Sequence, residues 1–345
     1  MISDALIAVA QCPDCRGAVV RGPGNVICSQ CGRVFAAGRG YLDLRPLAEF
    51  KEQTKYLDEA LHSDARHESI APPLLGSKIR NDRLRAFLDL KPGDRVIDLG
   101  CGSGRAIAWN ADTGASLAGV DVSPFFAPEA VASSDLLLGD LRRLPIRDRA
   151  FTKAWSLDVL EHLSPAALRE MLAEANRVLV PGGTLFVYTH VRKNGPLGPA
   201  VRGINRFAKL CERLGLIDLR HERLRKSDHL NPIADHDELA RVVGDAGFTI
   251  ERLTYYTPVA GALIENVLIR MGERALARRA KKAAGDSDDA AAVRAARTGA
   301  QARIRKRGAT YQALRALSAV MALDVHLFGR VKSGPFFALL RKRGG

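Results

Sequence analysis

The sequence predicts a doubly wound α/β fold, with a mostly parallel seven-stranded sheet, a small cysteine-rich unit before it and a helical extension after it. Three observations lead there. From Arg95 onward short apolar runs alternate with helical stretches, the pattern of a parallel sheet covered on both faces. A glycine-rich turn follows the first of these runs, and two CxxC pairs precede the whole array.

The predicted strands are Arg95–Leu99, Ser116–Asp121, Asp135–Leu138, Phe151–Leu157, Thr184–Thr189, Phe248–Tyr256 and, after a long helical interval, Pro335–Arg341. Residues 1–45 read as a knuckle of turns and short strands. Residues 46–92 read as a helical linker that can act as a lid, with a helix from about Arg80 to Leu90 stopped at Lys91-Pro92-Gly93. The core spans 93–258 and carries an insertion over 190–230. A helix over Asp235–Ala246 has Asp235 or Asp237 as its N-cap and Gly247 as its stop. Residues 259–345 form a basic extension, with helices over Ala262–Lys282 and Ala291–Phe328 around a small-residue acidic linker at Ala283–Ala290.

With 345 residues and 47% hydrophobic content, the chain is long enough for a sizeable core plus appendages. The net charge is +14, and most of it lies beyond Val259, where 18 Lys and Arg face 6 Asp and Glu. Such a tail suits a polyanion or an anionic membrane surface. The short apolar run over Met1–Ala10 is interrupted by Asp4 and has no basic region before it, unlike a signal peptide, and four of the six cysteines fall in CxxC pairs, so the expectation is a cytoplasmic protein, docked at the inner face of the membrane if the tail binds lipid.

Cys12-x2-Cys15 and Cys28-x2-Cys31 can place four thiolates around one Zn2+. A closed four-sulfur site leaves no open coordination position, so its expected role is structural.

Val96-Ile97-Asp98-Leu99-Gly100-Cys101-Gly102-Ser103-Gly104 is an apolar strand carrying a carboxylate, then a tight turn, then a helix start. Glycine lets backbone approach a ligand closely. The spacing is GxGxG rather than the GxGxxG of dinucleotide sites, and an Asp two residues before the first glycine suits a ligand with an amino group.

Asp98 to Gly104 resembles the first motif of class I S-adenosylmethionine-dependent methyltransferases, and further segments agree in order from about Leu84 to Phe248. Val120-Asp121-Val122-Ser123 resembles the acidic end of the second strand, which binds the ribose hydroxyls in that family; the other reading of Asp121 is a helix cap. Gly139-Asp140-Leu141 resembles the adenine-contacting turn, or is a plain turn. Ser156-Leu157-Asp158-Val159-Leu160-Glu161-His162-Leu163 resembles the motif beneath the methyl group, and Arg177 to Gly183 the turn before the fifth strand. The resemblance thus implies S-adenosylmethionine as methyl donor, held by Asp98, Gly100, Cys101, Gly102, Gly104, Asp121, Val122, Asp140, Leu141 and Ser156.

The sulfonium methyl is already electrophilic, so the protein has chiefly to align a nucleophile and remove a proton. Candidates for that proton are Asp158, His162 and His190, with Glu161 beside them and His229 and His236 in the insertion. The segment after the fourth strand lacks the Asn/Asp-Pro-Pro-aromatic turn of exocyclic-amine methyltransferases, which leaves O-, C- and ring N-methylation. The order of knuckle, Gly40 to Leu44, then core is similar to 23S rRNA guanine-N1 methyltransferases, and to the small zinc-binding activators of translation-related methyltransferases.

The leading expectation is methylation of an O or C atom of a small-molecule or lipid-linked acceptor, with the amphipathic Leu263, Ile264, Val267, Leu268 and Met271 beside Arg270, Arg274, Arg278, Arg279, Lys281 and Lys282 facing a bilayer. The first alternative is an rRNA or tRNA methyltransferase whose knuckle and tail hold phosphates. The second is a non-catalytic, zinc-dependent binding module.

Overall fold

A computed structural model describes residues 2–37, 39–47, 70–193, 195–219, 223, 229–256, 259–272, 274–275 and 308–344. The first part of the expected linker, the acidic linker at 283–290, residues 291–307 and the cations Arg278, Arg279, Lys281 and Lys282 lie outside the described residues.

The central sheet is built on β5 (Arg95–Leu99), β6 (Ser116–Asp121), β7 (Asp135–Leu138), β8 (Phe151–Leu157) and β9 (Leu179–His190), all parallel where they pair. Beyond β9 come β10 (Phe248–Tyr255) and β11 (Pro335–Lys342), and β11 runs antiparallel to both β9 and β10. The sequence predicts seven strands, whereas among the described residues this sheet has eight, in the order β10-β11-β9-β8-β5-β6-β7-β4. The eighth is β4 (Leu42–Asp43), which pairs in parallel with Leu137 and Leu138 at the edge. Two residues carry too little pattern to read as a strand. Strand order reverses at β5, whose neighbours lead away in opposite directions, and the crevice at such a switch point is where open α/β sheets bind ligands.

Helices cover both faces. On one lie α2 (Leu75–Leu88), α3 (Arg105–Asn110), α4 (Pro128–Ser133) and α9 (Ala309–Phe328), whose Ile79, Leu84, Ile107, Ala130 and Met321 pack with Trp155, Phe186 and Phe337 of the sheet. On the other lie α5 (Pro165–Val178) and α7 (His236–Asp245). Helix α5 starts where Ser164 accepts from the Ala167 N–H with Pro165 in its first turn, and it buries Leu168, Met171, Leu172, Ala175 and Val178 at helical spacing. Asp235 caps α7 by accepting from the Glu238 N–H, as one of the two expected caps.

The turn expected at Pro181-Gly182-Gly183 is a bulge inside β9: the pairing with β8 jumps from Phe151–Leu179 to Lys153–Thr184. The insertion contains α6 (Gly198–Arg213), which packs against α8 (Val259–Leu263) and a following π-helix (Ile264–Ile269) through Ala208, Cys211 and Val267. Of the residues expected to form one amphipathic face, Ile264 and Val267 are buried against the domain, whereas Leu263, Leu268 and Met271 are exposed. In α9 the buried Asp324 accepts from the Ala260 and Gly261 N–H groups, so the one carboxylate in that apolar helix caps α8.

The knuckle is a three-stranded antiparallel sheet of β1 (Val19–Gly22), β2 (Asn25–Cys28) and β3 (Val34–Ala36), preceded by α1 (Asp4–Val9). It shares a core with the main sheet: Leu6, Val19, Val26 and Phe35 belong to the same apolar cluster as Leu99, Leu137 and Ile146. Arg16 pairs with Glu174 of α5 at 3.3 Å, the Arg143 guanidinium donates to the Asp14 carbonyl at 2.9 Å, and the Gln11 N–H donates to the Pro145 carbonyl at 2.9 Å. The first 45 residues therefore complete the edge of the sheet.

Candidate active site and metal centre

Every parallel strand of the sheet delivers its C-terminal end to one edge, and the expected site residues lie along that edge. After β5 the chain turns back on itself: the Gly100 and Cys101 N–H groups donate to the Val120 carbonyl at 2.9 and 3.1 Å. Gly100 takes φ +83° and Gly102 φ +53°, the left-handed region that costs an L side chain about 1–2 kcal/mol. Their surroundings differ. A Cβ at Gly100 would lie 2.5 Å from Val159 Cγ2, whereas at Gly102 nothing lies within 4 Å, so Gly102 is where the loop faces open space. Gly104 begins α3 and Cys101 is buried beneath the loop.

Asp121 ends β6 with both carboxylate oxygens engaged: Oδ2 accepts from the Gly102 N–H at 2.8 Å and Oδ1 from the Ser123 N–H at 2.9 Å. One side chain thus locks the two neighbouring strand ends. Val122 follows it. Asp98 is 2% exposed, and burial pushes its carboxyl up to about 8, with the charge of Asp121 adding and the Trp155 indole opposing. At the end of β7, Asp140 accepts from the Arg142 N–H at 2.9 Å and pairs with the Arg142 guanidinium at 2.8 Å, while Leu141 opens a short 3-10 turn. Ser156 is fully buried and its hydroxyl donates to the Leu99 carbonyl at 2.8 Å, so this side chain ties β8 to β5.

The acceptor-side candidates follow β8 and β9. Asp158 takes φ +55° and lies 3.4 Å from the Arg80 guanidinium, which reaches over from α2 and sits 5.3 Å from the centroid of the Tyr188 ring. Glu161 is buried: its Oε2 accepts from the Thr189 hydroxyl at 2.7 Å and its Oε1 is 3.9 Å from His190 Nδ1. Burial, with the charge of Asp158 adding, pushes the Glu161 carboxyl up to about 7. The His162 ring meets His229 edge-on at 4.6 Å, and His190 lies 5.3 Å from His229. His236 stands apart, its Nε2 bonded to the Ser333 carbonyl.

Sequence reasoning missed Arg80, Tyr188, Tyr256 and Glu265. Arg80 carries the Asp158 pair, and the buried Tyr256 hydroxyl has no hydrogen-bond partner among the described residues. Burial raises the Tyr188 and Tyr256 phenols, with Asp158 adding at Tyr188 and Glu265 at Tyr256. These side chains come from α2, the interior of β9, the residue after β10 and the C-terminal extension, and no local motif marks them.

The four knuckle cysteines converge, with every sulfur within 4.8 Å of the others. Cys12 and Cys31 sulfurs are 3.8 Å apart and Cys15 and Cys28 3.4 Å, against about 3.8 Å for thiolates bound tetrahedrally at ~2.3 Å. The Gly17, Gln30 and Cys31 N–H groups point at the sulfurs, as suits thiolate charge. This donor set fits one tetrahedral ion.

Residues 97–187 match the family profile described as "Methyltransferase domain". Over those residues the chain is similar to class I S-adenosylmethionine-dependent methyltransferases. It is 30% identical over 160 residues to Methyltransferase GfsG of Streptomyces halstedii, covering 41% of this chain and 57% of that protein. It is 26% identical over 192 residues to 24-methylenesterol C-methyltransferase 2 of Oryza sativa subsp. japonica, covering 50% of this chain and 46% of that one. The chain therefore spans about half the length of these curated relatives. The fold matches that of phosphoethanolamine N-methyltransferase 2 of Haemonchus contortus at a TM-score of 0.50 and 14% identity, over 86% of this chain and 62% of that one. Among the described residues, no helix is long and apolar enough to cross a membrane.

Proposed function

We propose that this chain transfers the methyl group of S-adenosylmethionine to an oxygen or carbon atom of a small-molecule or lipid-linked acceptor. The observation that carries the reading is the contact between Gly100 and Val159: it sets the open Gly102 loop beside the Asp158–His162 turn, two neighbouring strand ends serving donor and acceptor.

On the donor side, Gly102 leaves room for the ligand, Asp121 accepts from the two ribose hydroxyls and Asp98 faces the amino group. Cys101, Val122 and the Asp140–Leu141 turn border the nucleoside, with Gly100 and Gly104 shaping the loop. The bound cofactor supplies an electrophilic methyl group. On the acceptor side, Arg80 holds Asp158, and Asp158, His162 and His190 are the groups that can take a proton as the acceptor attacks. Tyr188 and Tyr256 back the acceptor side with apolar rings that carry polar tips. In the knuckle, Cys12, Cys15, Cys28 and Cys31 hold a structural Zn2+.

An apolar acceptor is supported by the surface around α6. Phe207, Leu210 and Leu214 are 50%, 50% and 65% exposed, among the exposed cations Arg202, Arg206, Lys209 and Arg213. Leu263 at the end of α8, Leu268 in the π-helix and Met271 just beyond it extend the apolar surface. A basic, apolar-faced helix suits the surface of an anionic bilayer. The relative named for C-methylation of a sterol fits an acceptor of that kind.

The test is calorimetric titration of the zinc-loaded protein with S-adenosylhomocysteine, followed by transfer of labelled methyl groups to separated lipid, small-molecule and RNA fractions of the host. Label in lipid or small molecules is the expected result. Label confined to RNA overturns the acceptor assignment, and no cofactor binding by folded protein leaves a zinc-dependent binding module.

A further inference from the structure

Glu161, His162 and His229 bring one carboxylate oxygen and two imidazole nitrogens within 4.8 Å of one another, apart from the cysteine centre. Two separated stretches build this cluster, and a third lies beside it. Glu161 and His162 lie on the turn after β8, His190 ends β9, and His229 comes from the far end of the insertion. The returning segment is fixed by backbone: the Asn231 N–H donates to the Glu161 carbonyl at 2.9 Å, and the Arg192 N–H to the Ile233 carbonyl at 3.1 Å. Glu161 itself is 2% exposed, and the Thr189 hydroxyl at 2.7 Å orients its carboxylate. An outer hydrogen bond of this kind holds a carboxylate ligand in place.

We propose that Glu161, His162 and His229 bind a divalent transition-metal ion on the acceptor side of the site, with His190 next to it. Two imidazoles and one carboxylate suit zinc, iron, cobalt or nickel better than magnesium, which prefers an all-oxygen shell. Ligands bound at ~2.0–2.2 Å lie at most about 4.4 Å apart across one ion, so a small movement of the half-buried imidazoles closes the set. Three protein ligands leave positions open. The role of the ion rests on the methyl-transfer reading above. A hydroxyl of the acceptor takes an open position and loses its proton to Asp158 or His190. The resulting oxyanion forms the O–CH3 bond as the S–CH3 bond breaks, which leaves a neutral thioether, and the proton passes to water. His162 is then a ligand, and proton acceptance falls to its two neighbours.

Cobalt(II) is the probe. Protein whose cysteine centre holds one equivalent of zinc is titrated with Co2+, then desalted and analysed for metal. A second equivalent per chain is expected, with visible d–d absorption and no sulfur charge-transfer band. His229→Ala and His229→Gln should each weaken Co2+ binding at least tenfold while S-adenosylhomocysteine affinity stays within twofold, which also reports that the variants are folded. A total of one metal per chain overturns the proposal, as does a second equivalent that persists in both variants. Failure of the wild-type protein to bind S-adenosylhomocysteine overturns the methyl-transfer reading separately, because the metal count is read without it.

Discussion

Val159 Cγ2 stands where a Cβ on Gly100 would come within 2.5 Å, so the turn after β5 and the turn after β8 are packed directly on each other. Gly100→Ala therefore meets both a positive φ and a side chain with little room to withdraw. It should lower stability by more than the ~1–2 kcal/mol of the backbone conformation alone and weaken S-adenosylhomocysteine binding. Gly102→Ala has the backbone cost without the collision, so it should be the more stable variant while still losing affinity. Denaturant unfolding and calorimetry on the pair check the order.

Asp121 accepts from two backbone N–H groups in the free protein, and in the proposed complex it also accepts from ribose. Asp121→Ala should raise the Kd for S-adenosylhomocysteine at least about tenfold, a loss of ~1.4 kcal/mol or more. It should also lower the Tm, because the Gly102 and Ser123 N–H groups lose their acceptor. An unchanged Kd would count against the assignment.

Asp98, pushed up to about 8, is protonated in the free protein at pH 7. An ammonium group beside it favours the carboxylate, so binding should release close to one proton near pH 7, and affinity should rise with pH and level off above about 8. The effect on folding has the opposite sense. The unfolded carboxyl ionises near 4, so stability falls as pH rises from about 4 to about 8. Calorimetry in buffers of differing ionisation enthalpy measures the proton, and Asp98→Asn should abolish both its release and the pH slope.

Because the knuckle shares a core with β7 and α5, stripping metal from the cysteines should loosen the edge of the methyltransferase sheet as well. Chelation or Cys28→Ser should shift a single thermal transition of the whole protein downward. A separate knuckle transition, with the main Tm unmoved, would show instead that the unit folds independently.

Arg80 touches Asp158 and Tyr188, both on the proposed acceptor side. Arg80→Met keeps most of the packing volume and removes the charge. Methyl transfer to the labelled host fraction should fall at least tenfold while S-adenosylhomocysteine affinity holds within twofold. Equal losses in both would place Arg80 on the donor side.

The donor half of the proposed site could be put forward from the sequence because its residues follow strand ends in one βαβ series. Asp98, Gly100, Gly102, Gly104, Asp121 and Asp140 each sit within a few residues of a predicted strand, and a parallel sheet brings such ends to one edge. On the proposed acceptor half the sequence marks only Asp158, Glu161, His162 and His190. Arg80, Tyr256 and Glu265 reach it from segments far away in the chain, and the pairing of Asp140 with Arg142 and of Ser156 with Leu99 depends on rotamers that a motif does not encode.

Local periodicity, glycine spacing and cysteine spacing determined the α/β class, the cofactor loop and the thiolate centre, since each depends on residues close in sequence. Only the tertiary structure decided that β4 joins the sheet, that the knuckle is part of the main core, and that Glu161, His162 and His229 meet. Those relations join residues far apart in the chain, and the shared packing of the whole domain selects them.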